Sequence, residues 1–376
     1  MEFSNLINSF YNYYIEEKKN IKWEPLGLIT PVFPHTFNPS AGHTQTVELL
    51  QSFPQKQPSR FRAFFIERCF RDVDMRKVGL SPFYLSFFEM PEDFYFWDSL
   101  LKETIIEDFL NFMNKRLNVN LDKLLFSTFK GGKTYGYDFQ KDIESIRSLN
   151  KLGISESHII KSSSNFVIPS AENDFGCPRI EIYYDRGDKY KNYYRFLEIG
   201  TIEFITHTLK RINGRLRLIP LKEDSNPVLG IVAYGLERLN MALEGKETIY
   251  DIDILNFLKE IIQRYLPNKN YSLIYEKEIN IIVDHIRAAT FIIAEGQLPD
   301  SSRRGGILKR VLRAVFENAI FLEILNWEMF QEMIKTIVEI YKKRLPHLEN
   351  SEGIILETTQ NKFKLIEKDF REKKYE

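Results

Sequence analysis

Only two cysteines, Cys69 and Cys177, occur in 376 residues. Two thiols cannot build the disulfide framework of a small secreted domain, so a reducing, cytoplasmic setting is the expectation. Histidine is scarce as well, at 6. None pairs with another His or Cys at zinc-finger spacing, so no protein zinc motif is expected. No apolar run reaches the roughly 20 residues that span a bilayer, and no membrane partner is expected. The N-terminal stretch lacks a basic segment followed by an apolar one, so no secretory signal is expected. Net charge is absent too: Lys plus Arg is 52 and Asp plus Glu is 52. That balance argues against binding nucleic acid by bulk electrostatics alone. No internal repeat or low-complexity tract breaks the chain.

Aromatic residues make up 14% of the chain, mainly 30 Phe and 19 Tyr, which excludes a disordered polymer. The length favours about two or three domains. Residues 60–70 and 83–90 alternate aromatic and charged side chains and are predicted strands, joined by a polar loop with Gly79 and Pro82. Leu101, Ile105, Phe109, Met113 and Leu117 recur at i, i+4 and predict a helix over 98–117. Further strands are predicted at 179–185, 194–204 and 228–234. Their short connections favour an antiparallel sheet over βαβ units. From about Asp251 onward the period is helical, with segments at 276–295, 306–322 and 326–344. The expected organisation is an α+β domain over 1–244, a helical domain over 245–350, and a charged tail over 351–376 that frays from Lys362.

Three blocks carry chemistry. Phe65-Ile66-Glu67-Arg68-Cys69-Phe70-Arg71-Asp72 is followed, after the loop, by Phe87-Phe88-Glu89-Met90. Alternation puts Arg68 on the face of Phe70. An arginine fixed beside an aromatic of the neighbouring strand suits a nucleotide, guanidinium on phosphate and ring on base. The plain alternative is an edge arginine in a surface ion pair. Gly235-Leu236-Glu237-Arg238 follows a strand and opens a helix, where glycine permits close approach and the helix N-terminus favours anions. Asp284-His285-Ile286-Arg287 lies on a helix, and His285 reads as a hydrogen-bonded helix histidine rather than a base or ligand. Downstream, Arg303, Arg304, Lys309, Arg310 and Arg313 form a basic cluster, either a solvated face or a contact for a polyanion.

In this order the blocks resemble the N-terminal part of alanyl-tRNA synthetase, a class II aminoacyl-tRNA synthetase, over residues 30–345. Phe37-Asn38-Pro39-Ser40-Ala41-Gly42-His43 resembles that family's first motif region. Glu67–Arg71 with Phe87–Met90 resembles motif 2, and Gly235–Arg238 resembles motif 3. Pro178–Asp185 and Phe196–Ile199 resemble the strands leading to motif 3, while Asp284–Ala288 and Leu308–Arg313 resemble the helical domain. The resemblance implies an antiparallel sheet flanked by helices that holds ATP, with Mg2+ on the pyrophosphate, and an amino acid. It implies that Arg68 holds the α-phosphate, Phe88 stacks on adenine and Arg238 covers the other face, with Glu89, Met90 and Glu237 in the same ATP site. Arg68 and Arg238 would be the catalytic pair. The implied amino-acid pocket contains Asn165, Val167, Thr201, Glu203 and Ile231, and acceptor contacts would fall on Arg303, Arg304, Lys309 and Arg310.

The sequence also departs from that pattern. The family's ammonium-binding aspartate before motif 3 is missing from Leu229–Tyr234, where Ile231 stands. Its tryptophan after Asn-Phe becomes Val167, and its Trp-Asn-x-Val becomes Gly200-Thr201-Ile202-Glu203. A larger pocket with relocated negative charge follows. Serine replaces the asparagine expected just before Arg303-Arg304-Gly305. The histidine- and cysteine-based zinc cluster of the family's editing domain is absent, so hydrolytic proofreading is not expected. The first reading is an enzyme that activates an amino acid as its adenylate and passes it to an acceptor other than alanine tRNA: a carrier-protein thiol, a small amine or another tRNA. The second is a minimal or split alanyl-tRNA synthetase. The third is a non-catalytic binding module. A monomer or a homodimer fits each.

Overall fold

The computed structural model describes residues 1–39, 61–96, 102–169, 174–191, 194–222, 227–268 and 270–374. The chain divides into two compact units. One comprises Met1–Pro25, Ala41–Glu67 and Glu89–Gly245; the other comprises Leu26–Ser40, Arg68–Phe88 and Lys246–Glu376. The first unit ends at Gly245 and the second resumes at Lys246. Two stretches expected in the first domain, 26–40 and 68–88, are instead grouped with the helical residues. The first-motif residues Ser40–His43 lie outside the described residues.

The first unit is α+β. Its strands are β1 (Ile21–Lys22), β2 (Phe61–Phe70), β3 (Phe87–Phe96), β4 (Leu124–Phe129), β5 (Gly132–Thr134), β6 (Tyr137–Phe139), β7 (Ile159–Ser162), β8 (Phe166–Val167), β9 (Phe175–Asp185), β10 (Phe196–Ile205), β11 (His207–Ile212), β12 (Arg215–Pro220) and β13 (Leu229–Tyr234). Among the described residues the main sheet has 11 strands, ordered β1-β2-β3-β13-β10-β9-β11-β12, with β4, β7 and β8 attached around β9. The β13, β10 and β9 pairings are antiparallel, whereas β1/β2 and β4/β7 are parallel. Helices α1 (Phe3–Tyr11), α2 (Lys102–Asn111), α3 (Ile143–Lys151) and α4 (Leu236–Glu244) belong to this unit.

Both faces of the central strands are buried, which is why Leu229–Tyr234 reads as one apolar run rather than an alternation. On one face Ala63, Phe65, Phe94, Phe96, Cys177, Leu229 and Ile231 form a continuous core. Phe65 stacks on Phe94 at 5.0 Å between ring centroids. On the other face Phe10, Tyr14, Phe64, Phe112 and Tyr234 interlock, and the Tyr14 and Tyr234 hydroxyls are 2.5 Å apart. Each such ring contributes roughly 1.5–3 kcal/mol by leaving water.

The predicted strand at 83–90 lies instead at Phe87–Phe96. Phe83 and Leu85 are buried as the pattern implied. Their neighbours' carbonyls bond elsewhere, however: Pro82 accepts from the Ile249 amide at 2.8 Å and Tyr84 from the Tyr250 hydroxyl at 2.7 Å. The helix predicted at 98–117 runs over Lys102–Asn111 and continues as a π-helical turn to Arg116, while 97–101 lie outside the described residues.

The second unit is built on α5 (Asp253–Tyr265), α6 (Glu276–Ala294), α7 (Arg303–Phe321), α8 (Trp327–Tyr341) and α9 (Glu352–Lys374). Its helices start with local caps: the Ser302 hydroxyl accepts from the Gly305 amide at 3.0 Å, and Asn326 accepts from Met329 at 3.1 Å. The tail expected to fray is α9. Ile355, Thr359, Phe363 and Ile366 recur at spacings of four, four and three and are all buried. The Phe363 ring packs 5.6 Å from Phe316, 5.7 Å from Trp327 and 6.0 Å from Phe330. Its charges occupy the exposed face, which is what made the sequence look like a solvated tail. Phe363→Ala should cost about 3–5 kcal/mol. Urea denaturation followed by helical circular dichroism checks this, and a loss under 1 kcal/mol would mean that α9 is not part of the core.

Candidate functional site

The described geometry treats Arg68 and Arg71 very differently. Arg68 Nε donates to Glu295 Oε1 at 2.9 Å, and the side chains of both are nearly buried, at 8% and 11% exposed. Glu295 Oε2 also accepts the Leu28 amide at 2.5 Å. Gly27 beside it has φ +80°, and a Cβ there would stand 2.7 Å from the same carboxylate oxygen, so the loop must carry glycine. The surface ion pair weighed for Arg68 is therefore an interior one. Arg71, three residues on, holds its guanidinium 4.7 Å over the Phe88 ring and donates from Nε to the Pro39 carbonyl at 2.5 Å. Arg71 remains half-buried with extended backbone, as does the Phe88 ring beneath it. Of the two arginines, Arg71 has the aromatic partner that was expected for Arg68. The signal was in the connection: the Arg71 amide bonds the Ser86 carbonyl at 2.8 Å, so the strand ends bring Arg71 beside Phe88.

In the first unit, Glu237 is buried and its carboxylate accepts the Glu89 amide at 3.1–3.2 Å. This ties β3 to the first turn of α4. Arg238, half-buried, donates from Nη1 to the Glu198 carboxylate at 3.3 Å. Gly235 caps α4, as the motif implied. Met90 is half-buried on β3.

Of the residues expected in the amino-acid pocket, Thr201 and Glu203 lie on β10 and Ile231 on β13, where the register fixes their neighbours on β3 and β9. One row reads Glu92, Ala233, Thr201, Glu181, and the next reads Phe94, Ile231, Glu203, Arg179. Cross-strand partners share a face, as do residues two apart on one strand. Thr201, Glu203 and Ile231 are therefore brought together, and Glu203 stands directly opposite Ile231. Thr201 and Glu203 are half-buried, while Glu92 is fully buried. On the other side of Glu203 stands Arg179, whose guanidinium bonds Glu181, itself held by the Tyr183 hydroxyl at 2.8 Å. At Gly200 a Cβ would lie 2.5 Å from the Ala233 carbonyl, so no larger residue fits this backbone.

Val167 pairs with Cys177 and packs against the apolar core of the sheet, and Asn165 donates its amide to the Ser127 carbonyl while accepting the Arg179 amide on its own carbonyl at 3.0 Å. Both hold β8 and β9 in place. Burial raises the Cys177 thiol well above its ordinary range, with the Glu203 carboxylate acting in the same sense. Burial, then Glu67, then Glu203 also raise the Glu92 carboxyl well above the carboxylate range. Glu67 was quoted from sequence only as part of the motif 2 block, and Glu92 was not singled out. The available signal was the run of acids Glu89, Glu92 and Asp93 within the otherwise apolar strand Phe87–Phe96.

The basic cluster is split. Arg303, Lys309, Arg310 and Arg313 are exposed on α7. Arg304 points elsewhere, donating to the carbonyls of Thr30, Phe33 and Thr36 at 2.7–2.8 Å. His285 is buried with Nδ1 2.8 Å from Asp284, which also accepts the Ser86 amide at 2.9 Å. That is the structural histidine expected. Among the described residues no group of three or more His, Cys, Asp or Glu could hold a metal ion, and no helix is long and apolar enough to cross a membrane.

Curated relatives include the alanine–tRNA ligases of Thermotoga maritima (28% identical over 366 residues, 92% of this chain and 40% of the relative) and Malacoplasma penetrans (28% over 348 residues, 85% and 35%). That of Francisella tularensis is 26% identical over 389 residues, 96% of this chain and 42% of the relative. The chain thus spans about two fifths of the length of these relatives. A solved pyrrolysyl-tRNA synthetase from Desulfitobacterium hafniense superposes with a TM-score of 0.36 at 12% identity, over 67% of this chain and 72% of that one, a likeness too weak to carry weight. Residues 8–370 match the family described as tRNA synthetases class II (A), and the chain belongs to that family.

Proposed function

We propose that this chain activates an amino acid other than alanine as its adenylate, with ATP and Mg2+, and transfers it to an acceptor other than alanine tRNA. The observation that carries the reading is the pairing of Glu203 with Ile231. The acid missing at Ile231 is matched by a new one on the adjacent strand, directly across and on the same face. Directly opposed residues have Cβ atoms about 4.5–5.5 Å apart, so a carboxylate at Glu203 reaches the same substrate ammonium. The plain alternative pairs Glu203 with Arg179, the residue opposite it on β9.

In the activation step a substrate carboxylate oxygen attacks the α-phosphorus of ATP, the new P–O bond forms, and the bond to pyrophosphate breaks. Little proton transfer is needed. The work is positioning and charge stabilisation. Arg71 is the group we assign to the α-phosphate, in place of Arg68, because Arg68 is committed to Glu295 while Arg71 lies on the Phe88 ring. Phe88 offers a stacking surface for adenine, and the family resemblance gives Arg238 the part of a planar cation. Magnesium would be held mainly by the phosphates, its usual arrangement in nucleotide sites. The exposed Arg303, Lys309, Arg310 and Arg313 offer an anionic acceptor a landing surface. Ser302, in place of the family's asparagine, supports an acceptor other than alanine tRNA: a carrier-protein thiol, a small amine or another tRNA.

A specific observation favours a second reading, a minimal alanine-charging enzyme: the relatives above are alanine–tRNA ligases. ATP–pyrophosphate exchange across an amino-acid panel separates the two. We expect alanine to be a poor substrate, and Glu203→Gln to raise KM for the best substrate roughly tenfold to a hundredfold, the range for a lost charged hydrogen bond. Alanine as best substrate, with robust charging of alanine tRNA, would establish the second reading instead.

A further inference from the structure

Glu92 is 0% exposed, and neither carboxylate oxygen has a hydrogen-bond partner among the described residues. Buried carboxyl groups are costly unless paired, and almost all are paired. The cross-strand register sets Glu92 opposite Ala233, with Thr201 next in the row, so the smallest side chain of the row lies beside it. Glu67 and Glu203 are its acidic neighbours, and Arg179 donates from Nη2 to Glu181. Among the described residues acids therefore outnumber bases on this part of the sheet, and Glu92 is a fully buried acid of these rows whose carboxylate has no hydrogen-bond partner.

We propose that Glu92 seats a second cationic group of the substrate, so that the amino acid activated carries a basic side chain ending in an ammonium or guanidinium. This rests on the adenylate-forming reading for its purpose but not for its geometry. Glu203 takes the α-ammonium and Glu92 the side-chain cation. Two strand spacings and one two-residue step separate their Cα atoms by about 12 Å. Two inward-reaching glutamates shorten that gap to the length of an unbranched chain of a few carbons. A small neutral amino acid would leave Glu92 buried and unpaired, which selects against it.

The test is binding without ATP, by calorimetry on the intact chain, with norleucine, ornithine, lysine and arginine. At least one basic amino acid should bind tenfold or more tightly than norleucine, and Glu92→Gln should reduce that preference by tenfold or more. Equal affinity for norleucine, or no binding by any basic amino acid, overturns the proposal without needing a variant. A preference unchanged in folded Glu92→Gln overturns the role of Glu92. Pyrophosphate exchange with the same panel keeps the two readings apart. Selective binding without exchange removes adenylate formation and leaves the cation site, whereas exchange supported best by neutral amino acids removes the cation site and leaves adenylate formation.

Discussion

Arg71→Ala should abolish ATP–pyrophosphate exchange to within measurement, a loss of about a hundredfold to a thousandfold in kcat, while the chain stays folded. That is the usual effect of removing one charged donor from a developing oxyanion. Its fold cost is modest: Arg71 is half-buried, gives one hydrogen bond to Pro39 and lies over Phe88. A cation–π contact of that kind contributes about 0.5–1 kcal/mol. The loss should fall on kcat more than on the KM for ATP, because charge grows on the phosphoryl oxygens only as the substrate carboxylate attacks. Phe88→Ala should behave oppositely, raising the KM for ATP. Wild-type exchange in Arg71→Ala, with a folded and inactive Arg68→Ala, would return the phosphate role to Arg68.

Glu295→Ala should lower the stability of the second unit by about 3–5 kcal/mol, the cost of leaving one partner of a buried ion pair unpaired. The substitution strands the Arg68 guanidinium and also removes the acceptor of the Leu28 amide. The transition that reports on this unit should fall by roughly 6–20 °C. Replacing both partners, Arg68→Met with Glu295→Leu, should recover at least half of the loss, because two apolar groups of similar size do not need each other. A Glu295→Ala protein within 1 kcal/mol of the parent would show that the pair contributes nothing. A double replacement as unstable as the single one would place the cost on the Leu28 amide instead.

Much of the sheet was legible because buried central strands are written in aromatic and β-branched residues. Strands β2, β9, β10 and β13 lie within a few residues of their expected positions. The strand β3 was displaced because burial at Phe83 and Leu85 looks like strand alternation while their backbone bonds to residues 249–250. Helix α1 and the β11/β12 hairpin were not anticipated. The Leu6, Ile7 and Phe10 stripe of α1 sits among tyrosines that mask its period, and β12 carries exposed arginines. At the site, motif spacing located both arginines of motif 2 but could not tell which was committed, since the partner Glu295 lies 227 residues away in sequence. Glu203 was singled out by its departure from a pattern. Glu92 was not, because it stands with Glu89 and Asp93 in one strand, and an acid there reads the same whether its carboxyl is solvated or buried.

The interleaved membership of the two units sets an order on biosynthesis. The last first-unit residue is Gly245, whereas the second unit owns residues 26–40 and 68–88 and then waits for the chain from 246 onward. The three carbonyls that Arg304 grips, on Thr30, Phe33 and Thr36, lie 268–274 residues before it. At about 5–20 residues per second those carbonyls leave the ribosome roughly 13–55 s before their partner is made. During that interval the early loop, with Glu295 also unmade, has neither of its two clamps. A nascent-chain protease pulse should cut within residues 26–39 until Arg304 has emerged, and stop cutting there afterwards.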